Sequence, residues 1–219
     1  MKFTAAVAFA SAICAATAAY AGSPSDNTYN TIPEYEIEVA PNRTIIARGT
    51  IEQIREQALA HNPNWDEEYY HPAQKLANER YRLDHAVVNT NSTSSASTLE
   101  KRRANDFNAL RITCGGRWHA VSYDGALREA LRLYGIKGKP RNGPGPGNCG
   151  RVGCSYGTSI VWCNDNREAK TLGSFDEIAD GAFAIMQRCS HDKSGEGTKV
   201  SGQAFNKANW NVILRGEDC

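Results

Sequence analysis

The chain has 219 residues and a formal net charge of +1 at pH 7, so its overall charge favours neither a nucleic acid nor a membrane surface as a partner. The charge is unevenly distributed: residues 1–102 carry 9 Lys/Arg and 12 Asp/Glu, a net charge of −3, whereas residues 103–219 carry 16 and 12, a net charge of +4. Six of the seven cysteines follow residue 103, and the seventh, Cys14, lies in an apolar leader. The chain therefore divides near residue 103.

Residues 1–21 have the features of a secretory signal peptide. A basic start at Lys2 precedes an alanine-rich apolar run, and small residues around Ala19-Tyr20-Ala21 suit a cleavage site. This run is too short and too weakly apolar for a membrane anchor, and the rest of the sequence contains no candidate span. We therefore expect a secreted protein without a membrane span.

Residues 22–88 contain no cysteine and predict a small, acidic, partly ordered segment. Apolar alternation predicts short strands at 35–39 and 44–47, and helical periodicity predicts helices at 50–60 and 74–83. The segment has few apolar residues, so we expect only marginal order when it stands alone. Asn42 and Asn91 begin Asn-x-Thr triplets, which predict glycosylation in a secreted chain.

A low-complexity linker at 89–98 leads into the dibasic pair Lys101-Arg102. A short basic run is often only a solvated charge cluster. Here it lies where composition, cysteine content and net charge all change, and a flexible linker makes it accessible to a protease. The pair resembles the sites cut by kexin-type proteases of fungal secretory pathways. That resemblance implies a propeptide at 22–102 and a mature part at 103–219.

The mature part predicts a small α+β fold. Strand patterns occur at 111–114, 155–163 and 208–216, and helical periodicity at 123–134 and after Ser174. We expect a two-layer sandwich of two helices on a three- or four-stranded, mostly antiparallel sheet. A domain of this size is marginally stable without cross-links.

The six mature cysteines predict three disulfides, because the leader directs the chain to an oxidising compartment. Their 15 possible pairings remain open at this stage, except that Cys154 and Cys163 are too far apart along one extended strand to bridge each other. The spacings match no zinc knuckle, so we expect no metal and no cofactor. The predicted disulfide residues are Cys114, Cys149, Cys154, Cys163, Cys189 and Cys219.

The segment 136–147 carries Lys137, Lys139 and Arg141 in a Gly/Pro-rich context. We expect its glycines and prolines to keep it out of the sheet as an exposed loop. In a domain of net charge +4 it is our candidate for a binding surface. Its prolines and the absence of a Gly-Lys-Ser/Thr ending argue against a phosphate-binding loop.

His119 and His191 are the two histidines of the mature part. A histidine pair with a lysine can support acid–base cleavage of RNA, so a small secreted ribonuclease is the alternative function. Nothing in their spacing favours that function over two solvated loop histidines. No nucleophile–base signature occurs elsewhere, which makes an enzyme the less favoured class.

The mature part also resembles a group of small, cysteine-rich secreted proteins of filamentous fungi that are treated as effector candidates. The blocks that carry this resemblance are 145–156, 162–166, 178–182 and 209–219. A more distant likeness to the α/β sandwich of smut killer toxins rests on cysteine and helix order. The resemblance implies an effector or toxin that binds a protein of a host or competitor cell, with a kexin-type protease as its maturation partner and no nucleic acid.

Overall fold

The computed structural model describes residues 31–86 and 107–219, and the side chains of 31–79 and 107–219 within them. The predicted signal peptide, the linker, Asn91 and the dibasic pair Lys101-Arg102 lie outside the described residues. We refer to residues 31–86 as the N-terminal segment and to residues 107–219 as the C-terminal domain.

The N-terminal segment has the two strands and two helices that its sequence predicts. Its elements are β1 (Glu34–Ala40), β2 (Arg43–Arg48), α1 (Ile51–His61), a π-helical turn (Asp66–Tyr70) and α2 (His71–Ala86). In β1 every second residue is buried, which is the pattern of a strand with one face in a core. Helix α1 begins after a capping box, in which the backbone N–H of Thr50 donates to Gln53.

The C-terminal domain contains ten strands and two helices. The helices are α3 (Tyr123–Leu133) and α4 (Asp176–Cys189), close to their predicted positions. The Ser122 hydroxyl caps α3 by accepting from the N–H of Gly125. The strands are β3 (Ala109–Cys114), β4 (Val121–Ser122), β5 (Gly138–Asn142), β6 (Asn148–Ser155), β7 (Thr158–Asn164), β8 (Lys170–Thr171), β9 (His191–Lys193), β10 (Gly197–Val200), β11 (Gly202–Asn206) and β12 (Trp210–Gly216).

These strands form three antiparallel sheets. The largest has the order β3-β11-β12-β7-β6, and a small sheet has the order β4-β10-β9. The third sheet has the order β2-β1-β5-β8, so it joins two strands of the N-terminal segment to two of the C-terminal domain. The prediction of an α+β fold with antiparallel pairing is confirmed. The predicted number of three or four strands is wrong, because the fold contains more sheet than that.

Helices α3 and α4 pack on one face of the five-stranded sheet and enclose most of the core. Alternate side chains of the central strands β7 and β12 point towards the helices, and those between them form a smaller apolar cluster on the other face. Helix α1 packs on the outer strand β6. The N-terminal segment thus contributes to the same core as the C-terminal domain.

Three disulfides link the six predicted cysteines as Cys114–Cys189, Cys149–Cys163 and Cys154–Cys219. The prediction of three disulfides is confirmed. Cys154 and Cys163 do not bridge each other, although they lie on the two arms of a hairpin and not along one extended strand as the sequence suggested. All three bridges lie within the C-terminal domain.

The strand predicted at 155–163 is interrupted by a turn. Tyr156 and Gly157 both have positive φ, 52° and 68°, as in a type I′ turn, and they join β6 to β7 as a two-residue hairpin loop. A single Gly beside a tyrosine is a weak turn signal, since β-branched and aromatic residues dominate this stretch. Strand β6 was therefore missed.

The segment 136–147 is not a free loop. Its residues Gly138–Asn142 form β5 between β1 and β8, so the expectation that Gly and Pro keep this stretch out of the sheet is wrong. The reason is the orientation of Pro140. The Pro140 carbonyl accepts a hydrogen bond from the N–H of Leu172, on the β8 side. The nitrogen of Pro140, which has no hydrogen to donate, faces the same side. The hydrogen bonds between β5 and β1 therefore do not need a donor from Pro140.

The disulfides should contribute unequally to stability. Replacing Cys114 and Cys189 together by alanine opens a cross-link over 75 residues, and replacing Cys149 and Cys163 opens one over 14. In the loop-entropy description these losses are about 4 and about 3 kcal/mol of unfolding free energy. Urea denaturation of the two double variants and of the wild type measures both losses of unfolding free energy. A larger loss for the Cys149/Cys163 variant would contradict the expected order.

Candidate functional site

Lys137, Lys139 and Arg141 lie beside a strand of acidic residues. In the antiparallel register of β1 and β5, Glu34 is opposite Arg141 and Glu36 is opposite Lys139. Arg141 Nη1 is 3.2 Å from Glu34 Oε2, and Lys137 Nζ is 3.8 Å from Glu38 Oε2. The three predicted surface residues are therefore together, but the N-terminal segment faces them.

Glu34 is the best-paired of these carboxylates. Arg48 of β2 approaches it at 2.6 Å from the other side, so Glu34 lies between two guanidinium groups. The hydrogen bond from Arg48, followed by its charge and by Arg141, lowers the pKa of Glu34. Because these groups are largely solvated, each pair contributes at most about 1 kcal/mol and serves mainly to fix the register.

The other face of β1 is apolar and fully buried. Tyr35 stacks on Phe175 of the C-terminal domain with ring centroids 4.9 Å apart. Ile37 lies over Gly138, where an added Cβ would come within 2.6 Å of the Ile37 Cδ1 atom. Gly138 thus leaves space for an aliphatic side chain beside Phe175. Burial of two such side chains contributes about 1.5–3 kcal/mol each, more than the ion pairs on the solvated face.

A second close approach occurs at Gly150 of β6. The three atoms nearest to a Cβ at this position belong to Pro33 and Thr31, the nearest at 2.2 Å. The N–H of Thr31 also donates to the carbonyl of Cys149 at 3.3 Å. The N-terminal segment therefore lies directly against the backbone of β6.

A half-buried polar cluster lies where α1, α3 and β6 meet. Arg132 Nη1 lies 2.6 Å from Glu52 Oε1 and 3.2 Å from Glu129 Oε2, and Arg132 Nε donates to the Tyr70 hydroxyl at 3.3 Å. Glu129 Oε2 also accepts from the Ser155 hydroxyl. Arg132 consequently connects two carboxylates across the boundary between the N-terminal segment and the C-terminal domain.

Glu129 has the most perturbed carboxyl group of this cluster. Its side chain is 0% exposed, and its Oε1 has no hydrogen-bond partner among the described residues. Burial raises the pKa of Glu129 to about 7, against the opposing effects of Arg132 and Ser155. Burial also raises the pKa of the nearby Tyr35 hydroxyl, with a smaller effect from Glu52. The interface therefore favours a neutral Glu129.

The two histidines of the alternative function lie in separate places. His191 is in β9, and the strand order β4-β10-β9 places it two strands, about 10 Å, from β4. His119 lies on the chain before β4 and accepts a backbone hydrogen bond from Gly216 through its carbonyl. Both side chains are exposed. The fold does not gather them into one pocket.

A shallow groove of about 460 Å³ crosses the face of the five-stranded sheet opposite the helices. Its two aromatic residues are each covered by an arginine: the Arg117 guanidinium lies 4.3 Å from the Trp118 ring centroid, and that of Arg111 lies 4.4 Å from the Phe205 ring centroid. Its polar residues bond one another: Asn211 donates to Asp165 at 2.7 Å and accepts from Gln203 at 2.9 Å. The groove is thus a satisfied surface, and we do not assign it a ligand.

Among the other predicted positions, Asn42 occupies the exposed β1–β2 turn with φ of 59°, where a glycan would be accessible. Within the described residues, no group of three or more His, Cys, Asp or Glu side chains could hold a metal ion. Nor does any helix of the described parts reach the length and apolarity needed to cross a membrane.

Sequence reasoning singled out the three basic residues and missed the three acidic residues that face them. Glu34, Glu36 and Glu38 alternate with apolar residues at the same period of two as Lys137, Lys139 and Arg141. This matching spacing of opposite charges was the signal from which the pairing of the two strands could have been predicted. Glu129 has no such signal, because a glutamate at an unremarkable helix position gives no indication of full burial.

The raised pKa of Glu129 predicts a specific pH dependence of stability. A group whose pKa is higher in the folded than in the unfolded chain stabilises the fold fully below the unfolded pKa, about 4.5, and loses that effect as pH rises through about 7. The unfolding free energy of the uncut chain should therefore fall by about 2 kcal/mol between pH 5 and 8 from this group. Glu129→Gln should remove most of this fall.

Urea denaturation at pH 5 and 8 measures both proteins. Glu56→Gln is the matched control, because Glu56 is an exposed carboxylate on α1 and should leave the pH profile unchanged. Parallel profiles for the wild type and Glu129→Gln would show that Glu129 is not the responsible group.

Comparison of the chain with protein-family models, with curated proteins and with solved structures gives no match.

Proposed function

We propose that this chain is the precursor of a secreted effector or toxin, cut after Arg102, whose mature part 103–219 binds a protein of a host or competitor cell. The binding surface includes Lys137, Lys139 and Arg141. Three disulfides and the predicted signal peptide support an oxidising, extracellular environment for this protein.

The observation that carries the proposal is that the three disulfides all lie within the C-terminal domain. Every disulfide joins two residues of the C-terminal domain, whereas the described contacts between this domain and the N-terminal segment are non-covalent. A cut at Lys101-Arg102, which lies between the two, would leave the N-terminal segment held only by these contacts. The chain is thus divided in the way that a removable propeptide requires.

Binding is favoured over catalysis by what the boundary between the two parts contains. At this boundary, Lys137, Lys139 and Arg141 lie beside the apolar space over Gly138 that Ile37 fills. A basic row beside an apolar space is a surface suited to a peptide strand. The ribonuclease alternative depends on His119 and His191, which are both exposed and lie at opposite edges of the sheet β4-β10-β9.

Processing is tested by the N-terminus of the secreted product. Expression in a fungal host should yield a product that begins at Arg103 or just after it, because Lys101-Arg102 follows the low-complexity sequence 89–98. Replacing both Lys101 and Arg102 by glutamine should leave the N-terminal segment attached. A wild-type product that begins at residue 22 would refute the propeptide.

The binding surface is tested by charge. Lys137→Glu, Lys139→Glu and Arg141→Glu in one protein should keep the disulfides intact and reduce activity on susceptible tissue about tenfold or more. The double variant His119→Ala, His191→Ala should remain active. The opposite result, an active charge variant and an inactive histidine variant, would replace binding with catalysis.

A further inference from the structure

We propose that the target presents an extended segment in which acidic residues alternate with apolar ones, and that this segment pairs with β5 in place of β1. The N-terminal segment is then an internal occupant that covers the target site until the precursor is cut and the segment leaves. This inference rests on the proposed function and specifies its partner.

The backbone of β5 provides the first part of the argument. Pro140 and Asn142 direct their backbone groups towards β8, so Lys139 and Arg141 direct theirs towards β1. Without β1 these donors and acceptors would have no strand partner, and β5 would become an exposed edge. Such an edge is a template for an added strand from another protein.

The side chains define what that strand must carry. On the buried face, Phe175 stacks on an aromatic ring, and Gly138 accommodates an aliphatic side chain two residues further along. On the solvated face, Arg141, Lys139 and Lys137 face Glu34, Glu36 and Glu38. The matching pattern is acidic, aromatic, acidic, aliphatic, acidic, as in Glu34–Glu38.

The two faces have different roles. Backbone pairing and the buried aromatic and aliphatic side chains supply affinity, because the exposed ion pairs contribute little. The charges supply selectivity and faster association with an acidic strand, and they disfavour a basic one. We therefore expect an acidic protein segment as the partner.

Gly150 allows the N-terminal segment to be loosened without altering the β5 edge. A side chain at this position would meet Pro33 and Thr31 first. Gly150→Val should thus weaken docking of the natural segment, whereas a peptide of residues 34–48 lacks both contacts and should still bind. Gly138→Val is the opposite variant, because its side chain would fill the slot for Ile37.

The experiment uses the full precursor carrying Gly150→Val, cut at Lys101-Arg102 by a dibasic-specific protease at pH 8. Native mass spectrometry follows loss of the N-terminal fragment, and fluorescence anisotropy follows binding of a labelled 34–48 peptide. We expect the peptide to bind the cut protein and not the uncut wild type. A peptide with Glu34, Glu36 and Glu38 replaced by lysine should bind the cut protein at least about tenfold more weakly. The unaltered peptide should lose affinity to the same extent for cut protein that also carries Gly138→Val.

Activity on susceptible tissue separates this inference from the proposed function. Inhibition of the cut protein by the 34–48 peptide, but not by its lysine version, supports the inference. A cut protein that is active but neither binds the peptide nor is inhibited by it overturns the inference and leaves the proposed function standing. The inference is also overturned if the cut protein is active while its N-terminal segment stays bound to the C-terminal domain. A fully cut protein without activity, with its N-terminal fragment lost, refutes the proposed function.

Discussion

The pairing of β1 with β5 is the interaction on which the arrangement of the whole chain depends. It is the contact through which strands of the N-terminal segment enter a sheet of the C-terminal domain. Tyr35 and Ile37, which are opposite Pro140 and Gly138, are fully buried there, and at about 1.5–3 kcal/mol each their burial is a large fraction of the stability of a small domain. The pairing is nevertheless reversible in principle, because no disulfide supports it.

The cluster around Arg132 opposes the apolar contacts at the same boundary. Glu129 is buried beside Arg132 and Ser155, and an ionised carboxylate there is less favourable than a neutral one. The boundary is therefore more stable in acid than at neutral pH. The described contacts across this boundary are also non-covalent, since all three disulfides lie within the C-terminal domain.

Local features of the sequence predicted the helices well and the sheets poorly, for a physical reason. Helices α1, α3 and α4 follow from the periodicity and caps of their own residues, such as Ser122 before α3. Strand β5 follows from pairing with a strand about one hundred residues earlier, which no local pattern contains. Pro140 and its neighbouring glycines even suggested the opposite. The basic half of the site could be found from composition, but its acidic partner required the alternation of charges in two distant stretches to be compared.

The positions of the disulfides divide the C-terminal domain into a cross-linked part and a part held by non-covalent contacts. Cys149–Cys163 and Cys154–Cys219 anchor β6 to β7 and to the chain end, and Cys114–Cys189 anchors β3 to α4. The five-stranded sheet is thereby fixed from both edges. Strand β5 has no such anchor, and without β1 its remaining sheet neighbour is the two-residue β8. Strand β5, which carries Lys139 and Arg141, is therefore held in the fold by its non-covalent contacts alone.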